Sequence, residues 1–358
     1  MALEVFPRGW TLKPKPLGHR ILVSDVVEET DFGPNPGQLR LLRYVPPGLP
    51  PGAPLVVILH GCGQTAAGYG LGTGWFQLAA DLGFAVLAPE QRAVNNPNTC
   101  FNWFQPTDTA RDSGEAGSIH RMIAFMVERH GLDDRRIFIT GLSAGGAMTA
   151  AMVAAYPEQF AGGAIVAGLP AGAAQNVREA IDAMKAPPER DGRAWSEHVR
   201  RASGHDGPWP VVSIWHGLQD QVVHPANAQA SVAQWAHLHD VAHVQEDEAG
   251  GHLRRRWRDG SGRLVLESHA LAGLGHGVPI AAAQGHGIPA PFILEAAIPS
   301  SLHIAQFWGL DRQAPTRRTG PAIHVVPEPP EPAIKSILAQ QMPPELAGRI
   351  GRWLKRWL

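Results

Sequence analysis

Residues 137–148 read IFITGLSAGGAM: a short apolar run, then Gly-x-Ser-x-Gly, then small residues able to continue as a helix. A strand that passes into a helix through such a turn reverses sharply and lifts Ser143 clear of the backbone, its hydroxyl presented as a nucleophile. Gly141 and Gly145 have no Cβ to collide where the chain doubles back. In a chain with 40 glycines the pentapeptide recurs by chance. Its setting, strand before and helix after, is what marks Ser143 as a candidate catalytic residue.

The same alternation extends outward on both sides. RILVSDVVEET (20–30) and QLRLLRYVP (38–46) are β-rich runs joined by Gly, Pro and Asn, which predicts an antiparallel hairpin. LVVILH (55–60) is a continuous aliphatic run of the kind that forms a strand buried on both faces. A helix follows at 74–82, then a strand at 84–89, a long loop to about 111 and a helix at 113–130. Beyond Ser143 come strands at 163–169 and 211–217, a helix at 225–238, and a strand pair at 252–258 and 263–270 about the turn DGSG. Strands alternating with helices predict an α/β fold with a mostly parallel central sheet, helices on both faces and the N-terminal hairpin at an edge.

Composition bounds the function. Hydrophobic residues make up 44% and charged residues 18%, as in ordinary soluble globular proteins. A net charge of −1 supplies no field that would draw in nucleic acid. No stretch reaches the roughly 18 apolar residues of a membrane-spanning helix. The N-terminal residues show no basic segment followed by an apolar core, so a cytoplasmic location is the default expectation. Cys62 and Cys100 are too few for a disulfide scaffold; they are either two reduced thiols or one local bridge.

A serine nucleophile needs a base, and the base needs an orienting acid. In the α/β-hydrolase architecture these follow in the order Ser, acid, His, each on a loop after a later strand. VVSIWHGLQDQVV (211–223) places Asp220 just beyond a strand end, with Asp247 in the acidic run QEDEA as a weaker rival. RLVLESHALAGLGHG (263–277) puts His276 in the loop after the last strand, between Gly275 and Gly277. His286 shares that loop and competes for the role, whereas His269 lies within the strand and His303 on a helix at 300–309. The oxyanion of a tetrahedral intermediate also needs donors, each worth about 10²–10³ in rate. One is the amide after the nucleophile, Ala144. The other comes from HGCGQ (60–64), with Cys62 N–H preferred and Gly61 as the alternative, while His60 braces the loop by hydrogen bonding.

Six separated motifs then agree in order: LVVILHGCGQTAAGY, VLAPEQ, NPNTCFNWF, GLSAGGAMTAAMVAAYPEQFAGGAIVAGLP, WHGLQDQVV and GLGHG. Together, over about 38–310, they resemble the polyhydroxyalkanoate (PHB) depolymerase family of esterases, neighbours of the feruloyl and acetylxylan esterases. The resemblance implies an α/β-hydrolase fold and a serine esterase without metal or cofactor, with Ser143, Asp220 and His276 as triad and Cys62 and Ala144 as oxyanion donors. It implies a Cys62–Cys100 disulfide, which would pin the oxyanion loop to the loop carrying Trp103 and Phe104. Those aromatics would line the acyl pocket, and His60 is counted with them as a substrate-binding candidate. The expected substrates are hydroxyalkanoate oligomers or short-chain esters, with feruloyl or acetylxylan esters as the alternative. Relatives that degrade polymer are secreted, so the resemblance points to the periplasm or the exterior. From another class, a catalytically silent binding protein could keep the same shell; the ordered Ser, Asp and His argue against it.

Two segments stand outside this scheme. Residues 171–208 interrupt the alternation with polar helical sequence and are a candidate cap, or else a plain surface insertion. With residues 1–310 as the catalytic domain, 311–358 would hold a Pro-rich linker and the basic helix ELAGRIGRWLKRWL. That helix either docks on its own domain or makes weak contact with a lipid or polyester surface.

Overall fold

Ten strands hydrogen-bond into one sheet whose C-terminal edges carry the candidate site. The structure, a computed structural model, describes residues 21–241 and 243–312. Its strands are β1 (Val27–Glu29), β2 (Arg40–Tyr44), β3 (Leu55–Leu59), β4 (Ala85–Glu90), β5 (Ile137–Leu142), β6 (Gly162–Val166), β7 (Val211–Gly217), β8 (Val244–Ala249), β9 (His252–Arg258), β10 (Leu264–Leu271), β11 (Val278–Ile280) and β12 (Ile293–Glu295). The helices are α1 (Ala66–Gly72), α2 (Trp75–Leu82), α3 (Pro106–Thr109), α4 (Gly114–His130), α5 (Ala144–Ala155), α6 (Val177–Lys185), α7 (Gly192–Ser203), α8 (Ala226–Leu238) and α9 (Ser300–Phe307).

The strand order is β1-β2-β4-β3-β5-β6-β7-β10-β9-β8, with β11 and β12 forming a separate parallel pair. The six central strands are parallel, and the antiparallel pairings fall at the two ends. Every residue of β3, β4, β5 and β6 is buried, as continuous apolar runs require when helices cover both faces. One face packs on Ile119 and Met122 of α4, Met148 and Met152 of α5 and Trp235 of α8. The other packs on Tyr69 of α1, Trp75 and Phe76 of α2 and Ile304 of α9. This is the expected α/β-hydrolase fold, with the β1–β2 hairpin at one edge.

Besides the short pair β11–β12, which follows the strand that the sequence marks as last, three elements depart from the sequence reading. AAGYGLG forms α1, although its three glycines disfavour helix. The Thr65 hydroxyl caps it by accepting from Gly68 N–H, and the buried Tyr69 ring anchors it. The loop before α4 contains the short α3. The acidic run VQEDEA, for which no strand is expected, forms one that is exposed along its length. It forms the exposed sheet edge β8, whose carboxylates meet arginines of β9 in the pairs Glu246–Arg255 (2.6 Å) and Asp247–Arg256.

The insertion at 171–208 holds α6 and α7. Gln234 of α8 binds it by donating from Nε2 to Ala171 O and Trp195 O, both at 3.1 Å. Ala183 of α6 and Trp195 of α7 pack in a small cluster with Ala147, Leu169, Ala173 and Val223, bordered by Trp103, Met184 and Val222. The connector expected over 311–335 and the basic C-terminal helix lie outside the described residues, apart from 311 and 312.

Candidate active site

Ser143 stands between β5 and α5 with φ 57° and ψ −117°, a conformation that costs a non-glycine residue roughly 1–3 kcal/mol. The surroundings enforce it. Ser143 N–H donates to Val166 O of β6 at 2.9 Å, and its carbonyl accepts from Ala147 N–H at 2.9 Å. At Gly145 an added Cβ would fall 2.3 Å from Leu59 O, so only glycine lets α5 start this close to β3. Among the described residues the Ser143 hydroxyl has no hydrogen-bond partner, which leaves it available to a substrate.

Asp220 lies in the loop after β7, and His276 in the loop after β10. Register brings the two together, because Gly217 at the end of β7 faces Leu271 at the end of β10. The loops then interlock, Leu218 N–H donating to Leu271 O (2.8 Å) and Gln219 N–H to Leu274 O (2.9 Å). Gly217 admits this contact; a Cβ there would sit 2.2 Å from Leu274 O. His276 Nδ1 lies 2.7 Å from Asp220 Oδ2. The other oxygen, Oδ1, accepts from Val222 N–H (2.8 Å) and Val223 N–H (2.9 Å). Burial alone would push the Asp220 carboxyl up, but hydrogen bonds from His216 and His276 outweigh it and hold the group ionised, well below its ordinary range. With Nδ1 on the acid, His276 keeps Nε2 without a partner among the described residues. That free nitrogen is what a general base needs.

The oxyanion loop follows β3. Gly61 N–H donates to Gln64 Oε1 (2.9 Å) and Gly63 N–H to Asn98 O (2.9 Å). Cys62 N–H has no acceptor among the described residues, nor has Ala144 N–H at the start of α5. Two free amides therefore flank the serine turn, and Gly61, its amide already engaged, is the poorer candidate. Cys62 and Cys100 form a disulfide. Beneath it lies a buried polar network. His60 receives Gln91 N–H at Nε2 (3.1 Å), which leaves its Nδ1 proton for Gly61 O at 2.8 Å. The Gln91 amide donates to Cys100 O (3.1 Å) and to Glu115, which accepts from Asn102 N–H at 2.8 Å. Burial raises the Glu115 carboxyl to about 8, against the bond from Asn102. His60 is 0% exposed with both nitrogens engaged, so it braces the loop from within. Trp103 and Phe104 are half-buried and meet edge to face at 5.5 Å between centroids, Trp103 also bordering the cluster that holds Ala183 and Trp195 of the 171–208 insertion.

The competing residues sit elsewhere. Asp247 is on exposed β8, paired with Arg256. His269 is buried and stacked on Trp215 at 3.6 Å between centroids, with His303 tilted 5.9 Å from the same ring. His286 lines a small cavity with Gln77, Asp81 and Ser301. Sequence reasoning missed Gln91, Glu115 and His216. Gln91 closes the quoted run VLAPEQ, but nothing in the sequence marks its pairing with His60 or Glu115, and Glu115 lies in no motif. His216 was visible four residues before Asp220.

Residues 39–257 match the family model described as Esterase PHB depolymerase. The poly(3-hydroxyalkanoate) depolymerase C of Paucimonas lemoignei is 40% identical over 294 residues, spanning 80% of this chain and 71% of that protein. Feruloyl esterase B of Thermothelomyces thermophilus is 30% identical over 265 residues, 71% of this chain and 89% of its own. Among solved structures, the acetyl xylan esterase of Aspergillus awamori superposes with a TM-score of 0.67 at 24% identity, over 80% of this chain and 99% of that one.

Proposed function

The chain belongs to the PHB depolymerase family of esterases, and from that premise we propose that Ser143, Asp220 and His276 carry out its ester hydrolysis. It is a carboxylic ester hydrolase on an α/β-hydrolase fold. The observation that carries the assignment is the 2.7 Å bond from His276 to Asp220, with Nε2 left free, on the sheet edge that also presents the strained Ser143 turn. Ser143 Oγ attacks the ester carbonyl while His276 Nε2 takes its proton, and Asp220 holds the imidazole and stabilises the cation that forms. The oxyanion is received by Cys62 N–H and Ala144 N–H. His276 returns the proton to the departing alcohol, and water then releases the acid from Ser143 by the reverse sequence.

The substrate we propose is an oligomer of 3-hydroxyalkanoate, on the strength of the 40% identity to a poly(3-hydroxyalkanoate) depolymerase. Trp103 and Phe104 would line the acyl side, and the apolar border of Trp103, Met184 and Val222 supports a part for the 171–208 insertion in that pocket. A second reading, an acetyl or feruloyl ester of plant cell-wall polysaccharide, is supported by the feruloyl esterase at 30% identity. A product screen over hydroxybutyrate oligomers, acetylated xylan and methyl ferulate separates them. Release of hydroxybutyrate with the highest kcat/KM supports the first reading, and preferential release of acetate or ferulate overturns it. The disulfide also supports an oxidising compartment, the periplasm or the exterior. Thiol alkylation of the protein in its own host, read by mass, should find both cysteines protected, and full alkylation would refute that placement.

A further inference from the structure

Asp220 accepts from two histidines through a single oxygen. Oδ2 lies 2.7 Å from His276 Nδ1 and 3.2 Å from His216 Nε2. The same His216 nitrogen lies 2.8 Å from Val223 O, so its one proton is shared between that carbonyl and the carboxylate. His216 is the penultimate residue of β7, 3% exposed, and fixed by the strand on which it sits. The two rings are thus used in opposite ways. His276 turns Nδ1 to the acid and leaves Nε2 free. In His216 the Nε2 that a base would offer to a nucleophile is already consumed by Val223 O and Asp220 Oδ2.

The bond to Val223 O closes the acid loop on itself. Residues 217–219 are held from outside by the His276 loop, through the backbone bonds from Leu218 and Gln219. Val222 and Val223 form the returning limb, and their amides support Oδ1. Without His216, residues 222 and 223 would be held by the bonds Asp220 makes to them, and the chain beyond them by His224, whose N–H donates to Met184 O of the 171–208 insertion at 2.8 Å and whose carbonyl accepts from Asn227 N–H at 3.0 Å.

We propose that His216 is a positioning residue: its Nε2–H ties the returning limb of the acid loop to the end of β7 and aims Asp220 Oδ2 at His276. The proposal rests on the assignment of Asp220 and His276 as acid and base. His216→Gln keeps a donor near the Nε2 position, whereas His216→Phe keeps a planar ring without one. His216→Asn is polar but too short to place its donor there.

The expected result is a fall in kcat of roughly ten- to a hundred-fold for His216→Phe, as for other small misplacements of a catalytic group. KM should stay within about twofold, because His216 touches no substrate. The acid limb of kcat/KM should move to lower pH, since a carboxylate no longer aimed at His276 holds the protonated ring less firmly. His216→Gln should restore both kcat and the limb. Rates are taken per active site, counted by fluorophosphonate stoichiometry, so that loss of folded protein is not read as loss of catalysis. If His216→Phe fails to fold, the comparison of Asn with Gln decides, and equal kcat for the two overturns the proposal. Wild-type kcat and acid limb in His216→Phe overturn it as well. Asp220→Asn, assayed alongside, separates the two levels. A dead Asp220→Asn with an unimpaired His216→Phe refutes the positioning role alone, and an active Asp220→Asn refutes the triad assignment beneath it.

Discussion

The two halves of the site are held by different physics. On the β3–β5 side, position is fixed by backbone sterics and a covalent bond. Ser143 is forced to φ 57° by a turn in which Gly145 cannot carry a side chain, and the Cys62–Cys100 bridge closes over the oxyanion loop. On the β7–β10 side, position depends on hydrogen bonds to one buried carboxylate, Asp220. The difference teaches where each half is vulnerable. Geometry of the first kind survives a change of charge but not an added atom. Geometry of the second kind survives small changes of volume but not the loss of ionisation.

The largest effect that tests this contrast is chemical. Ser143→Ala should abolish hydrolysis of p-nitrophenyl butyrate, a loss of about 10⁶-fold in kcat, and Asp220→Asn should cost about 10⁴-fold. Thermal melts should separate the two. Ser143→Ala keeps the Cβ and the strained φ and should leave stability unchanged, whereas Asp220→Asn puts a donor in place of the oxygen that accepts from His216 and His276 and should melt lower. Equal melting points would blur the distinction between the halves.

Next comes the disulfide. Replacing both cysteines by serine frees a loop of 38 residues' separation, worth about 4 kcal/mol in the chain-entropy account. Activity should fall far less than stability, because His60, Gln91 and Glu115 still hold the loop from below. Activity lost at temperatures where the variant remains folded would show that the network cannot hold the amide of Cys62 in place.

The smallest effect is in pH. Burial holds His252 and His303 down to about 4, with the positive neighbourhood of His269 adding to it, under the β7–β10 half. The unfolded chain takes up those protons from about pH 6.5 downward, so stability on this account falls between pH 6.5 and 4. Glu115, under the other half, behaves oppositely. Its carboxyl is raised to about 8 by burial. The unfolded chain releases that proton above about pH 4.5, and stability falls as pH rises toward 8. Melting curves of Glu115→Gln should be flatter than wild type over that alkaline limb and unchanged below pH 4. A parallel shift at every pH would contradict the attribution.

The contrast also explains what could be read from sequence. Steric demands leave residues that nothing else can replace, so IFITGLSAGG announced both the elbow and the strand-turn-helix around it. Alternating buried runs gave the sheet, and chain order singled out Asp220 and His276 from their rivals. The rest was written in side-chain pairing, which has no period. α1 was hidden by its glycines because its stability comes from Tyr69 and a Thr65 cap. β8 was hidden by its acids because its partners are arginines of the next strand. The bracing of His60 was half hidden for the same reason: the Gln91 amide that occupies its Nε2 is 31 residues away.

The central claim, that Ser143 is a nucleophile activated at this site, is tested most directly by a fluorophosphonate probe followed by peptide mapping. One adduct per folded chain on Ser143, with none in Ser143→Ala, is the predicted result. A folded sample that stays unlabelled, or carries its adduct on another residue, would contradict it.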